Sequence, residues 1–221
     1  MFKHDKKLLH QVKVDGPNPQ YATLIQEQLG GITGELTAAM TYMSQAFRVH
    51  DQAIKDLMMD IAAEELSHME MVATMVNMLN GHDPDYTKVD VGGIQQHTVG
   101  GLNPLLCNAS GVPWTAAYVD VTGDLVADLL TDIAAEQRAK STYEYLYRQI
   151  NDKGVRETID FLLNREEAHN ALFREALEKV RDTGSNKNFG VDADARKYFD
   201  LSTPGRFFQN PNQSPQMRLD N

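Results

Sequence analysis

Residues 61–72 read Ile61-Ala-Ala-Glu64-Glu65-Leu-Ser-His68-Met-Glu70-Met-Val72, and residues 162–173 read Leu162-Leu-Asn-Arg165-Glu166-Glu167-Ala-His169-Asn-Ala-Leu-Phe173. The first belongs to a longer run in which Ile54, Leu57, Met58, Ile61, Val72, Met75, Val76 and Leu79 keep the three-and-four spacing of a buried helix face. Val155, Ile159, Leu162, Leu172, Phe173, Leu177 and Val180 do the same around the second. Each stripe is interrupted by a Glu-x-x-His pair, Glu65 with His68 and Glu166 with His169. Residues three apart share a helix face, so each pair projects inward with the apolar residues around it. A buried carboxylate without a compensating charge is costly, and two facing each other are worse. Something positive is expected between them.

Two further carboxylates fall on the other predicted helices. Glu35 and Glu136 each precede a tyrosine, Tyr42 and Tyr143, by two turns on the same face. At a constant offset of 101 residues, Glu35, Thr41, Tyr42, Asp51, Glu65 and His68 map onto Glu136, Thr142, Tyr143, Asp152, Glu166 and His169. This internal repeat is faint in general identity and intact at the polar core positions. One carboxylate from each of two helices, plus a Glu-x-x-His from each of two more, is the dinuclear carboxylate pattern of ferritin-like bundles. A lone Glu-x-x-His is a weak signal, whereas six donors at matching intervals on inner faces point to metal. The candidate ligands are Glu35, Glu65, His68, Glu136, Glu166 and His169. Their four negative charges balance two divalent ions, and the pair suits two-electron chemistry on an oxygen species. Glu64, Glu70 and Glu167 fall off the stripes and are expected in solvent. His4, His10, His50, His82 and His97 have no partner at ligand spacing and are read as non-ligands.

Punctuation sets the organisation. Residues 1–19 form a polar arm ending Gly16-Pro17-Asn18-Pro19, and two proline-free blocks follow, split by a crossover over 81–120. Each block is a helical hairpin with a short break, His50-Asp51-Gln52 in the first and Asn151-Asp152-Lys153-Gly154 in the second. Asp and Asn suit the N-caps there, and Gly154 suits a tight corner. The expected fold is all-α, a ferritin-like four-helix bundle over 20–181 with extended N- and C-terminal arms. Gly30, Gly31 and Gly34 weaken the first helix by about 1 kcal/mol each relative to alanine. With Ala38 and Ala39 they leave a wall near Glu35 almost without side chains. That wall admits a small substrate, a neighbouring backbone or simply close helix packing. The 182–221 tail holds Phe189, Tyr198, Phe199, Phe207 and Phe208, too aromatic for a purely solvated linker, and is expected to dock on a neighbouring subunit.

Composition narrows the function classes. The 221 residues carry 21 basic and 31 acidic side chains, a formal net charge of −10. That excess disfavours nucleic acid and anionic membrane partners. The single cysteine, Cys107, excludes an internal disulfide framework and a Cys-based cluster within one chain. No stretch reaches the roughly 20 apolar residues of a membrane span. Met1-Phe-Lys-His-Asp-Lys-Lys lacks the apolar core of a secretory signal, so a cytoplasmic protein is expected.

At this point the chain resembles the manganese catalases, non-haem dimanganese enzymes of the ferritin-like superfamily. The resemblance runs through Met1-Phe-Lys-His, Leu29-Gly-Gly leading to Gly34-Glu35, and Glu64-Glu65-x-x-His68-x-Glu70-Met. It continues through Trp114-x-x-x-Tyr118, Gly123-x-Leu125-Val-Ala-Asp128, Gly154-Val-Arg156 and Phe161-Leu-Leu163-x-Arg165-Glu166-x-x-His169. It implies two manganese ions per subunit and no haem, with ligands at Glu35, Glu65, His68, Glu136 and His169, Glu65 bridging. Glu166 matches a position that in some members shuttles protons, whereas the symmetric reading makes it a ligand. Glu65, Glu166 and Tyr42 are the expected catalytic residues. The implied reaction is disproportionation of hydrogen peroxide to water and dioxygen in oxidative-stress defence, by a homo-oligomer, a hexamer in this family. Some members carry an arginine just before the third glutamate, where this chain has Ala135; others a lysine two turns after it, where it has Tyr143. Lys140 is the nearest substitute. Two rivals keep the same residues: a diiron peroxidase or ferroxidase, since iron suits the same donors and manganese is the weaker binder, and a catalase-like structural coat protein.

Overall fold

Asn18 accepts a hydrogen bond from the Tyr21 amide at 3.1 Å, and Pro19 follows it, so the arm passes directly into helix α1, Pro19–Gly30. This computed structural model describes residues 3–81 and 106–182. Helix α2 covers Glu35–Ala46, α3 Gln52–Asn80, α4 Leu125–Gln149 and α5 Lys153–Asp182, with a 3₁₀ turn at Ala116–Tyr118. Asp51 caps α3 through the Ile54 amide, Asp124 caps α4, and Asp152 accepts from the Val155 amide in the first turn of α5. Asp51 and Asp152 are the caps expected from the repeat. The regular structure is all-α, a ferritin-like bundle whose four members are α1 with α2, then α3, α4 and α5.

The first member is not the continuous helix that the sequence implied. It breaks at Gly31–Gly34, where the Gly34 amide donates to the Gly31 carbonyl and Thr37 Oγ1 donates to the same oxygen. The crossover packs against the helix just before the break. A Cβ at Gly30 would overlap the backbone of Cys107, so the returning chain lies directly against α1. Gln26 donates to the Cys107 carbonyl, Glu27 accepts from the Ala109 amide, and Trp114 donates its indole hydrogen to Thr37 Oγ1. Of the three uses envisaged for the glycine wall, a neighbouring backbone occupies Gly30. The break also makes Glu35 the first residue of α2, where unpaired backbone amides favour a carboxylate.

Gly154 answers to a similar constraint, not to a corner. It lies within α5 without positive φ, and a Cβ there would strike the Lys13 carbonyl. Asp152 ties this part of the arm down by accepting from the Asp15 amide, while Asp15 accepts from the Lys153 amide. Val12 thereby joins a core that includes Ile25, Met75, Leu146, Ile150 and Ile159. Crossover residues 82–105 and the tail aromatics Phe189, Tyr198, Phe199, Phe207 and Phe208 lie outside the described residues. No described helix is long and apolar enough to cross a membrane.

Gly30→Ala is expected to destabilise the protein by about 1–3 kcal/mol, because backbone must move to admit the methyl group. Gly16→Ala, where nothing lies within 4 Å of the added carbon, is the control. Thermal melts of the two variants check this; equal melting temperatures would mean that the crossover does not press on α1.

Candidate metal centre

Each bundle member delivers donors to one interior volume. Glu35 comes from α2, Glu65 and His68 from α3, Glu136 from α4, and Glu166 and His169 from α5, and none is more than 2 % exposed. Their ligand atoms fall into two groups, each spanning no more than 4.8 Å: Glu35, Glu65, His68 and Glu166, then Glu65, Glu136 and His169. Glu65 belongs to both. All six sequence candidates are therefore brought together.

Both imidazoles turn Nδ1 towards the carboxylates. His68 Nδ1 lies 3.0 Å from Glu65, 3.8 Å from Glu166 and 4.0 Å from Glu35. His169 Nδ1 lies 2.7 Å from Glu65 Oε1 and 3.8 Å from Glu136. Glu65 Oε1, Glu136 Oε2, Glu166 Oε1 and His169 Nδ1 are buried with no hydrogen-bond partner. Buried polar atoms are rarely left unpaired, and these converge on shared points. Oxygen and imidazole donors with inward lone pairs fit a pair of divalent cations such as manganese.

The protons of the metal-free protein report the same demand. Burial lifts the carboxyls of Glu35 and Glu166 well above the usual range and Glu136 to about 7, aided by repulsion from Glu65. Burial also opposes ionisation of Glu65, but attraction to His68 and His169 outweighs it, so Glu65 stays an anion. Burial disfavours charging the imidazoles too, yet the glutamates around them lift His68 to about 10 and His169 to about 9. Imidazolium protons thus occupy positions that cations would take.

The two tyrosines cross the repeat. Tyr42 of the first half donates to Glu136 Oε1 of the second at 2.5 Å, and Tyr143 of the second half donates to Glu35 Oε1 of the first. Burial raises both phenols well above their ordinary value, so each keeps the proton it donates.

The glutamates called solvated divide. Glu70 pairs with His4 at 3.1 Å on the outside, and Glu167 pairs with Lys140. Glu64 behaves otherwise: only a quarter exposed, it faces Nε2 of His68 at 3.4 Å and of His169 at 3.3 Å, and receives Arg165 Nε at 2.6 Å. The signal existed, since Glu64 is four residues before His68 and Arg165 four before His169. Gln28 and Asp132 are also fully buried polar residues not singled out from sequence; Asp132 precedes Glu136 by one turn. His10 stacks on Phe161, His50 is exposed, and His82 and His97 lie outside the described residues.

Two cavities reach the cluster, and Glu166 lines both. One of about 260 Å³ lies between α2 and α4, walled by Gly34, Ala38, Thr41, Tyr42 and Ala135. The other, about 320 Å³, lies between α4 and α5 and is walled by Glu136, Lys140, Glu167 and Asn170.

Comparison with known proteins agrees with this geometry. The chain is 68% identical over 214 residues to a probable manganese catalase of Clostridium acetobutylicum, covering 96% of this chain and 95% of that one. It is 40% identical over 188 residues to protein CotJC of Bacillus subtilis (strain 168), covering 85% and 98%. The crystal structure of KatB, a manganese catalase from Anabaena PCC7120, superposes with a TM-score of 0.73 at 38% identity, over 86% of this chain and 85% of that one. The family model of manganese containing catalase matches residues 1–207, and the chain belongs to that family.

Proposed function

We propose that Glu35, Glu65, His68, Glu136 and His169 hold two manganese ions per subunit, with Glu166 beside them as proton carrier, and that this catalase there disproportionates hydrogen peroxide to water and dioxygen. The observation that carries the ligand assignment is the pair of buried donor groups sharing Glu65, with unpaired lone pairs turned inward. Glu65 has an oxygen for each group and remains an anion, which suits a bridge. Glu35 and Glu136 are the terminal carboxylates, each steadied by the tyrosine of the opposite half.

The bound ions supply a two-electron exchange, the pair moving between divalent and trivalent states. One peroxide takes up two electrons and two protons to become two waters; the other releases two electrons and two protons to become dioxygen. The protein must therefore hold protons between the halves of the cycle. Glu166 is placed for this, with Oε1 unpaired, a pKa raised by burial, and a position on the wall of both cavities. Tyr42 lines the first cavity and donates to Glu136, keeping that carboxylate from turning towards substrate. The small residues Gly34, Ala38 and Ala135 leave room there for a molecule the size of peroxide. The same reading makes the chain a cytoplasmic homo-oligomer, hexameric, acting in oxidative-stress defence. Its arm is 1–19, its bundle domain 20–181, and its 182–221 tail docks on neighbouring subunits.

Glu166→Gln is expected to retain manganese while kcat falls about 10²–10⁴-fold, the range for losing a proton-transfer group. Loss of metal with activity would make Glu166 chiefly a ligand. Metal analysis with a dioxygen-release assay decides the metal, and iron occupancy without dioxygen would overturn the reading.

Stability between pH 7 and 10 should depend on pH more steeply without metal. His68 and His169 have folded pKa values raised above the unfolded value near 6.5. Their stabilising contribution is complete below that value and is lost as pH rises through about 9 to about 10. Apo protein should therefore melt at falling temperature from pH 7 to 10, and below the holoprotein throughout. Calorimetry of chelated and reloaded protein tests this; coincident curves would contradict it.

A further inference from the structure

An imidazole that ligates a metal through Nδ1 carries its proton on Nε2, and that proton needs an acceptor. In this chain both histidines look to the same one. Glu64 Oε1 lies 3.4 Å from His68 Nε2, and Glu64 Oε2 lies 3.3 Å from His169 Nε2. Neither contact closes as a hydrogen bond in the metal-free geometry, and both Nε2 atoms are buried without a partner, so Glu64 faces two donors that need an acceptor. The two rings stack with centroids 5.6 Å apart and planes inclined by 21°, so one carboxylate spans the pair. Arg165 holds that carboxylate from the other side, with Nε at 2.6 Å from Oε1 and a terminal nitrogen at 3.3 Å from Oε2. A planar guanidinium fits a carboxylate in this two-point manner.

The repeat explains why one glutamate meets one arginine. The offset of 101 that relates His68 to His169 also relates Glu64 to Arg165. Two glutamates at these positions would repel each other, and two arginines would leave both imidazoles without an acceptor. One of each serves both rings and neutralises itself. We propose that Glu64 is a positioning residue shared by both metal-binding imidazoles, fixing each with its proton on Nε2, and that Arg165 holds Glu64 and moderates its charge. This rests on the reading of the cluster as a manganese site.

The test is chelator competition on the manganese-loaded holoprotein, with metal per chain as the readout. Glu64→Ala removes the acceptor from both rings, so affinity for both ions should fall about 10–100-fold. Glu64→Gln keeps the shape but offers one acceptor oxygen and one amide donor, so only one ion should weaken. A Glu64→Ala protein that weakens one ion or neither overturns the shared role. If Glu64→Ala does not fold, Glu64→Gln decides, since equal weakening of both ions or of none overturns it. Arg165→Met exposes the full carboxylate charge and should lower the midpoint potential of the ion pair, whereas Glu64→Ala should raise it. Shifts of the same sign would mean that Arg165 only props Glu64, which overturns the moderating role. Failure of the wild-type protein to take up manganese would instead overturn the reading of the site.

Discussion

Four carboxylates and two imidazoles are buried in one volume, and the molecule is arranged around that expense. Left alone, such a cluster sheds its charge by protonation, which is what the raised carboxyl pKa values of Glu35, Glu136 and Glu166 record. A pair of divalent cations replaces those protons and turns repulsion into attraction. The −10 formal charge then overstates the acidity of the exterior, because the four glutamates of the cluster are buried, as are Asp128, Asp132 and Asp152.

The supports of the cluster lie partly in the repeat and partly where the repeat fails. The tyrosine clasps are reciprocal, each half donating a hydrogen bond to a glutamate of the other. Glu64 with Arg165 breaks the equivalence in charge. Glu166 breaks it in placement, joining one donor group and facing both cavities while its repeat mate Glu65 bridges the groups. A symmetric frame fixes the donors, and the departures from symmetry separate a carboxylate shared by both donor groups from one that opens on both cavities.

What the sequence made legible follows from this. The stripes of α3 and α5 and the six donors were readable because helical periodicity places them without reference to other chain segments. Asp51 and Asp152 were readable as caps for the same local reason. The need for glycine at Gly30 and Gly154 was not, since Cys107 and Lys13 impose it from remote positions. Glu64 was misread because it is one residue from Glu65, about 100° around the helix and so outside the apolar stripe. Its partners are an imidazole on its own helix and two side chains of α5, which periodicity cannot supply.

The absent basic residue of some relatives has a structural answer in the same terms. Ala135 lines the first cavity, and Tyr143 is engaged by Glu35, so neither position offers a cation. Lys140 lines the second cavity beside Glu136 and Glu166, but its charge is paired with Glu167. Arg165 is spent on Glu64, on the far side of the imidazoles from the bridging carboxylate. Arg138 also lines the first cavity, and among the described residues no lysine or arginine makes an ion pair with Glu35, Glu65, Glu136 or Glu166. Two divalent ions suffice for those four charges, and a further cation beside them would leave the site net positive. With Ala135 in place of a long basic side chain, the first cavity keeps its room near Glu166. Charge moderation passes instead to the Glu64–Arg165 pair, which acts through the imidazoles and occupies none of the space that substrate needs.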